Sequence, residues 1–224
     1  MVDEQASDLQ AELDEALFSL EELIGESPQE ALSMFESLPG EVRARPEFRL
    51  SKARALQASD ALEEARALCE SVLAEAQDPL LEADVHHLLG DVLEDLGESD
   101  RANEHFLTVL TLDRASFSEQ RHLTDAELIA RVQTLLSQVV EDLPEAARAT
   151  LHGAEVELFP SEQDVRLGLD PRAFSALGED GERRQFKVYA ANLDAEYGDL
   201  EELGEFDEHV ELELRHQISD HLQL

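Results

Sequence analysis

The sequence predicts an α+β protein, an all-helical array of three hairpins at residues 1–118 followed by a small α+β domain at residues 119–224. Three observations predict it. A small residue followed four positions later by a larger side chain recurs as Ala31/Phe35, Ala65/Cys69 and Ala102/Phe106, at steps of 34 and 37 residues. Helical capping signals restart at Thr124. Beyond residue 150 the apolar period changes from that of a helix to that of a strand. A chain of 224 residues is long enough for one large or two modest domains, each burying its own core.

The first half reads as helices in order. Ser27-Pro28-Gln29-Glu30 has the form of a capping box with Pro at the first helical position, and Pro39-Gly40 and Asp78-Pro79 stop helices. Leu88-Leu89-Gly90-Asp91-Val92-Leu93-Glu94-Asp95-Leu96-Gly97 places a small residue where two helices would touch and a glycine where the chain would turn. Ala102 and Phe106 follow at the offsets of the preceding units. A period near 34 together with these residues resembles the tetratricopeptide repeat over residues 10–114, most closely in the third unit; Ser51-Lys52-Ala53-Arg54-Ala55 lacks the glycine. The resemblance implies a short solenoid whose concave side takes a peptide or partner helix, or a platform for the domain that follows. Cys69 falls at a packing position and reads as inert core. His86, His87 and His105 have no ligand spacing around them and read as solvated or hydrogen-bonded side chains.

In the second half a linker around residues 115–121 precedes the Thr124-Asp125-Ala126-Glu127 capping box. The helix it opens has an apolar side of Leu128, Ile129, Val132, Leu135, Leu136, Val139 and Val140. Asp142-Leu143-Pro144 ends that helix, a short one is expected over residues 145–151, and residues 154–160 alternate as a strand. A Gly- and Asp-rich loop over 168–181, a second strand over 184–193 and a final helix from about Asp207 complete the reading.

The final helix carries Arg215-His216-Gln217-Ile218-Ser219-Asp220-His221-Leu222-Gln223-Leu224. In spacing and apolar frame it resembles the active-site helix of minimal zincin-like metallopeptidases, His-Glu-x-x-His-His-x-Gly-Leu, and the resemblance spans about residues 124–224. In that family two histidines one turn apart hold zinc and the Glu takes a proton from the metal-bound water. Here His216 stands at the first ligand, Gln217 at the general base, Asp220 at the second ligand and Gln223 at the glycine. A neutral amide cannot accept the proton, and the third ligand expected after the motif would lie beyond Leu224. The expectation is a pseudo-peptidase with a vestigial motif (His216, Gln217, Asp220, His221), no catalytic residue, no bound metal and no cofactor. The resemblance also implies a sheet edge on which an extended peptide could add as a strand.

Composition bounds the partners. The chain has 53 acidic and 17 basic residues, a net charge of −36. The surplus is shared between the halves, at −20 for residues 1–118 and −16 for residues 119–224. Such a surface repels nucleic acids and anionic membranes and favours a protein with a basic face, though high solubility or a salty interior explains it equally well. Apolar content of 42% fits a folded protein. A single cysteine fits a reducing compartment, and no leader or membrane-spanning run is read, so the expected location is cytoplasmic. The function expected is a non-catalytic protein-binding role as adaptor, chaperone or inhibitor. The alternatives are a divergent zinc peptidase using His216 and Asp220, with or without His221, and an acidic DNA mimic or buffer for basic proteins.

Overall fold

The computed structural model describes residues 2–117, 124–180, 183–201 and 205–222. The chain is α+β, mostly helical with one small mixed sheet, and its contacts divide it into two compact units, Met1–Asp113 and Arg114–Leu224.

The first unit is helical among its described residues. Its elements are α1 (Val2–Glu26), α2 (Pro28–Ser37), the single turn α3 (Gly40–Arg43), α4 (Pro46–Ala58), α5 (Leu62–Leu73), α6 (Pro79–Asp95) and most of α7 (Ser99–Phe117). Sequential helices pack as antiparallel neighbours because short turns join them: α1 meets α2, α4 meets α5, and α5 meets α6. Ala31 and Phe35 of α2 close on Leu13 and Leu20 of α1 and on Phe48 and Ala55 of α4 in one apolar cluster. Cys69 is fully buried, and burial pushes its thiol up to about 12, so it carries no thiolate at neutral pH.

The α4–α5 and α6–α7 hairpins share their turn chemistry. Gly97 closes α6 at φ +78°, and the Glu98 N–H donates to the Leu93 carbonyl, the six-to-one bond of a glycine C-cap. Thirty-seven residues earlier Asp60 takes the same left-handed conformation at φ 61°, and the Ala61 N–H donates to Leu56. Asp is one of the few residues whose side chain makes that region tolerable, which is why the α4–α5 hairpin turns without a glycine. The equivalent position to Gly90 is Ala53, and both are buried in their helices.

Gly90 is required by close approach. A Cβ built there would lie 2.4–2.8 Å from three ring atoms of Phe106, itself buried at 4% exposure. Alanine would gain about 1 kcal/mol of helix propensity and cost about 1–3 kcal/mol of overpacking. Gly90→Ala is therefore expected to lower stability by up to about 2 kcal/mol, and Phe106→Leu in the same chain should recover part of the loss. Urea unfolding followed by far-ultraviolet circular dichroism measures both.

Three details differ from the sequence reading of this unit. Ser27 precedes α2, but its side chain makes no capping bond; Pro28 alone marks the start. Asp78 begins α6 rather than ending α5, accepting a bond from the Leu80 N–H (3.1 Å), and Pro39 likewise sits at the start of α3. The expected linker at 115–121 is helical as far as Phe117, and residues 118–123 lie outside the described residues. Residues 114–117 belong to the second unit, where Phe117 meets the Phe159 ring edge-on (5.0 Å) and Arg114 Nη2 donates to the Pro160 carbonyl (2.8 Å).

In the second unit α8 (Asp125–Asp142) opens on the Thr124 capping box, with Glu127 N–H donating to Thr124 Oγ1 (3.3 Å) and Thr124 N–H to Glu127 Oε2 (2.8 Å). There follow α9 (Glu145–Thr150), β1 (Leu151–Glu157), α10 (Glu162–Arg166), β2 (Ser175–Asp180), β3 (Arg183–Tyr189), α11 (Ala190–Tyr197), a 3-10 turn (Gly198–Glu201) and α12 (Phe206–Leu222). The sheet order is β1-β3-β2, with β1 parallel and β2 antiparallel to the central β3. Phe186 and Val188 of β3 point into a core shared with Leu128, Val132, Leu136 and Val139 of α8 and with Phe206, Val210, Leu214 and Ile218 of α12.

The sequence reading of this unit is corrected in its middle. Residues 175–180, read as loop, form β2: Ser-Ala-Leu-Gly-Glu-Asp has no β-branched residue and no alternation to reveal a strand, and pairing with β3 supplies the order. The strand read over 184–193 ends at Tyr189, and Ala190 to Leu193 turn into α11, where Asn192 Nδ2 donates to the carbonyls of Pro171 (3.0 Å) and Ala173 (2.7 Å). The first strand runs over 151–157 instead of 154–160, and the short helix before it ends at Thr150.

Candidate functional site on the last helix

The last helix separates its residues by face. Phe206, Val210, Leu214 and Ile218 repeat every fourth position and are buried, whereas Leu212, His216 and Asp220 face solvent. Between them runs a half-buried polar stripe, His209, Glu213, Gln217 and His221. The two positions expected to be metal ligands thus fall on the exposed side, and the expected general-base position falls on the stripe.

His216 Nε2 and Asp220 Oδ2 lie 3.3 Å apart, with 64% and 66% of their side chains exposed. The pair is an exposed i,i+4 contact of modest worth. Among the described residues no group of three or more His, Cys, Asp or Glu side chains could hold a metal ion. Gln223, at the glycine position of the motif, lies outside the described residues.

Gln217 is held at both ends of its amide. Its Oε1 accepts from Ser175 Oγ (2.8 Å), and its Nε2 donates to Glu213 Oε1 (2.8 Å). The other carboxylate oxygen of Glu213 accepts from the Tyr197 hydroxyl (3.1 Å). Burial, then the Glu213 charge, pushes the Tyr197 phenol up to about 12, so it stays a donor at neutral pH. Ser175 is buried at the first position of β2, paired with Val188, and His221 Nε2 lies 3.1 Å from its hydroxyl. Since Ser175 spends its proton on Gln217, it accepts from His221, which places the imidazole proton on Nε2. With that nitrogen protonated, His221 has no lone pair aimed at the serine. The His221 ring also stands edge-on to Phe186, at 5.7 Å.

The sequence reading singled out His216, Gln217, Asp220 and His221; the structure separates the first and third from the other two. It adds Ser175, Tyr197 and Glu213, which sequence reasoning missed. Glu213 could have been found as the residue four before Gln217 on one helix face. Ser175 and Tyr197 meet the stripe only through the sheet and α11, and no local signal marks them.

No protein-family model, curated protein or solved structure matches the chain.

Proposed function

We propose that the protein is a non-catalytic protein-binding module that holds a partner with a basic face, as adaptor, chaperone or inhibitor. The observation that carries this reading is the state of Gln217. At the position where the zincin-like helix would need a carboxylate free to take a proton, a neutral amide donates to Glu213 and accepts from Ser175. Beside it the exposed His216/Asp220 pair offers two side chains where a catalytic zinc site takes three protein ligands.

The finer architecture belongs to the same proposal. The 37-residue equivalence of Asp60 with Gly97 and of Ala53 with Gly90 supports a tetratricopeptide-like solenoid in the first unit. In the second, a mixed sheet packed against the motif helix supports a zincin-like frame, whose edge strands β1 and β2 each pair on one side only among the described residues. Affinity for an extended segment would come from backbone bonds at such an edge, and specificity from apolar side chains. The acidic surplus steers the encounter. No described helix is long and apolar enough to cross a membrane, and a cytoplasmic location is part of the proposal.

The test is association kinetics with the protein that co-purifies from native cells. The expected result is a basic partner, returned uncleaved, whose on-rate falls about tenfold or more between low and physiological salt while its off-rate changes little. An acidic partner, a cleaved one, or an on-rate indifferent to salt would overturn the reading.

A further inference from the structure

The contact between α6 and α7 contains a pair of facing imidazoles, His86 and His105. His86 Nδ1 and His105 Nδ1 lie 2.7 Å apart, with the rings tilted by 37° and their centroids separated by 5.0 Å. Both side chains are half-buried. A neutral imidazole carries one donor and one acceptor nitrogen, so this contact needs one ring with its proton on Nδ1 and the other with Nδ1 bare. One added proton leaves the facing bond intact, because it can go to the outer nitrogen of the donor ring. A second must go to the acceptor Nδ1 and sets two N–H groups against each other, with two positive charges on adjacent rings.

We propose that the His86–His105 contact is a proton-operated latch between α6 and α7, closed while at most one ring is protonated and opened when both are. The charged groups around it come from three helices: Glu70 of α5, Glu82 of α6, and Arg101 and Glu104 of α7. Glu82 favours protonation of His86; at His105, Glu70 and Glu104 favour it, and Arg101 and His86 itself oppose it. Burial is the largest influence on both rings and holds each below the ordinary value of 6.5. A depressed value in the closed state means that the open state binds protons more readily. The latch is therefore fully closed above about pH 6.5 and loses its hold as pH falls through the lower, closed-state values. His87, next in sequence, faces Asp91 (3.4 Å) and the Phe106 ring instead, which makes it a neighbouring control.

The experiment is hydrogen exchange on the full chain, read as α7 protection relative to α5 and corrected for intrinsic chemistry. Between about pH 7.5 and pH 5 the wild type should lose α7 protection by about tenfold or more. His105→Gln keeps a side-chain donor for His86 but takes no proton, so only the burial of His86 remains to titrate and its α7 protection should fall clearly less than the wild type's over the same range; His87→Gln should behave as wild type. Should His105→Gln fail to fold, nitrogen-15 imidazole spectra of the wild type decide. Opposite tautomers for His86 and His105, titrating in two coupled steps below the free value, support the latch. Identical tautomers titrating independently near 6.5, α7 protection unmoved by pH, or equal losses in wild type and His105→Gln would each overturn it.

Discussion

Phe186→Ala will destabilise the second unit by about 3–5 kcal/mol. Phe186 is fully buried at the centre of β3, paired with Ala154 on one side and Leu177 on the other, and it fills the space between the sheet and helices α8 and α12. Truncation removes the transfer free energy of the ring and leaves a cavity that two helices and a three-stranded sheet can only partly close. It also removes the edge-on contact with His221, so the polar stripe should loosen along with the core. Phe186→Leu preserves most of the volume and should cost less than about 1.5 kcal/mol. The chain supplies its own reporter: it has no Trp and only two Tyr, Tyr189 and Tyr197, both in the second unit. Tyrosine fluorescence during urea unfolding therefore follows that unit alone. Equal midpoints for wild type and Phe186→Ala would mean that the core is not built around β3.

The outcome at Phe186 bears on which features the sequence could reveal. Helices with a strong apolar period were legible with their core faces, as in α8, where Leu128, Val132, Leu135, Leu136 and Val139 are all buried. So was the close approach at Gly90, because a glycine inside an apolar helix has few other reasons to be there. The strand β2 was not legible, since its order comes from pairing with β3 and not from its own residues. The α11 helix was hidden because Ala190 and Ala191 continue the apolar run of β3, and long-range bonds fix the change of direction: Asn192 to Pro171 and Ala173, and the Ala191 N–H to the Leu158 carbonyl. At the site, sequence placed Gln217 and His221 on one helix, but it could not supply Ser175 and Tyr197, which arrive from other elements.

Raising ionic strength from about 0.01 M to about 1 M will stabilise the protein, with Tm rising by roughly 5–10 °C. Many of the basic residues are already committed. In the first unit Arg43, Arg49, Lys52, Arg54, Arg66 and Arg101 all lie within 4 Å of carboxylates, with Lys52 and Arg43 sharing Glu36. These pairs are mostly exposed and individually weak. Beyond them stands a surplus of 36 negative charges whose mutual repulsion favours the expanded chain. Salt shortens the reach of that repulsion from about 30 Å to about 3 Å, and the gain from screening many like charges exceeds the loss from screening a few exposed pairs. Calorimetry in sodium chloride and in choline chloride separates screening from specific cation binding. A Tm that falls with salt would mean that the ion pairs outweigh the surplus.

The last helix holds Gln217 in a hydrogen-bonded stripe, and we propose that it serves no metal. Zinc titration of the full chain, with peptidase assay in parallel, tests it most directly. The wild type should take up no stoichiometric zinc at micromolar concentration and cleave no peptide. The variant Gln217→Glu with Asp220→His should do little better, because a carboxylate at 217 would face Glu213 where the amide now donates at 2.8 Å, and the closeness of two like charges would keep one of them protonated. One zinc per wild-type chain, with peptide cleavage lost in His216→Ala, would contradict a non-catalytic last helix.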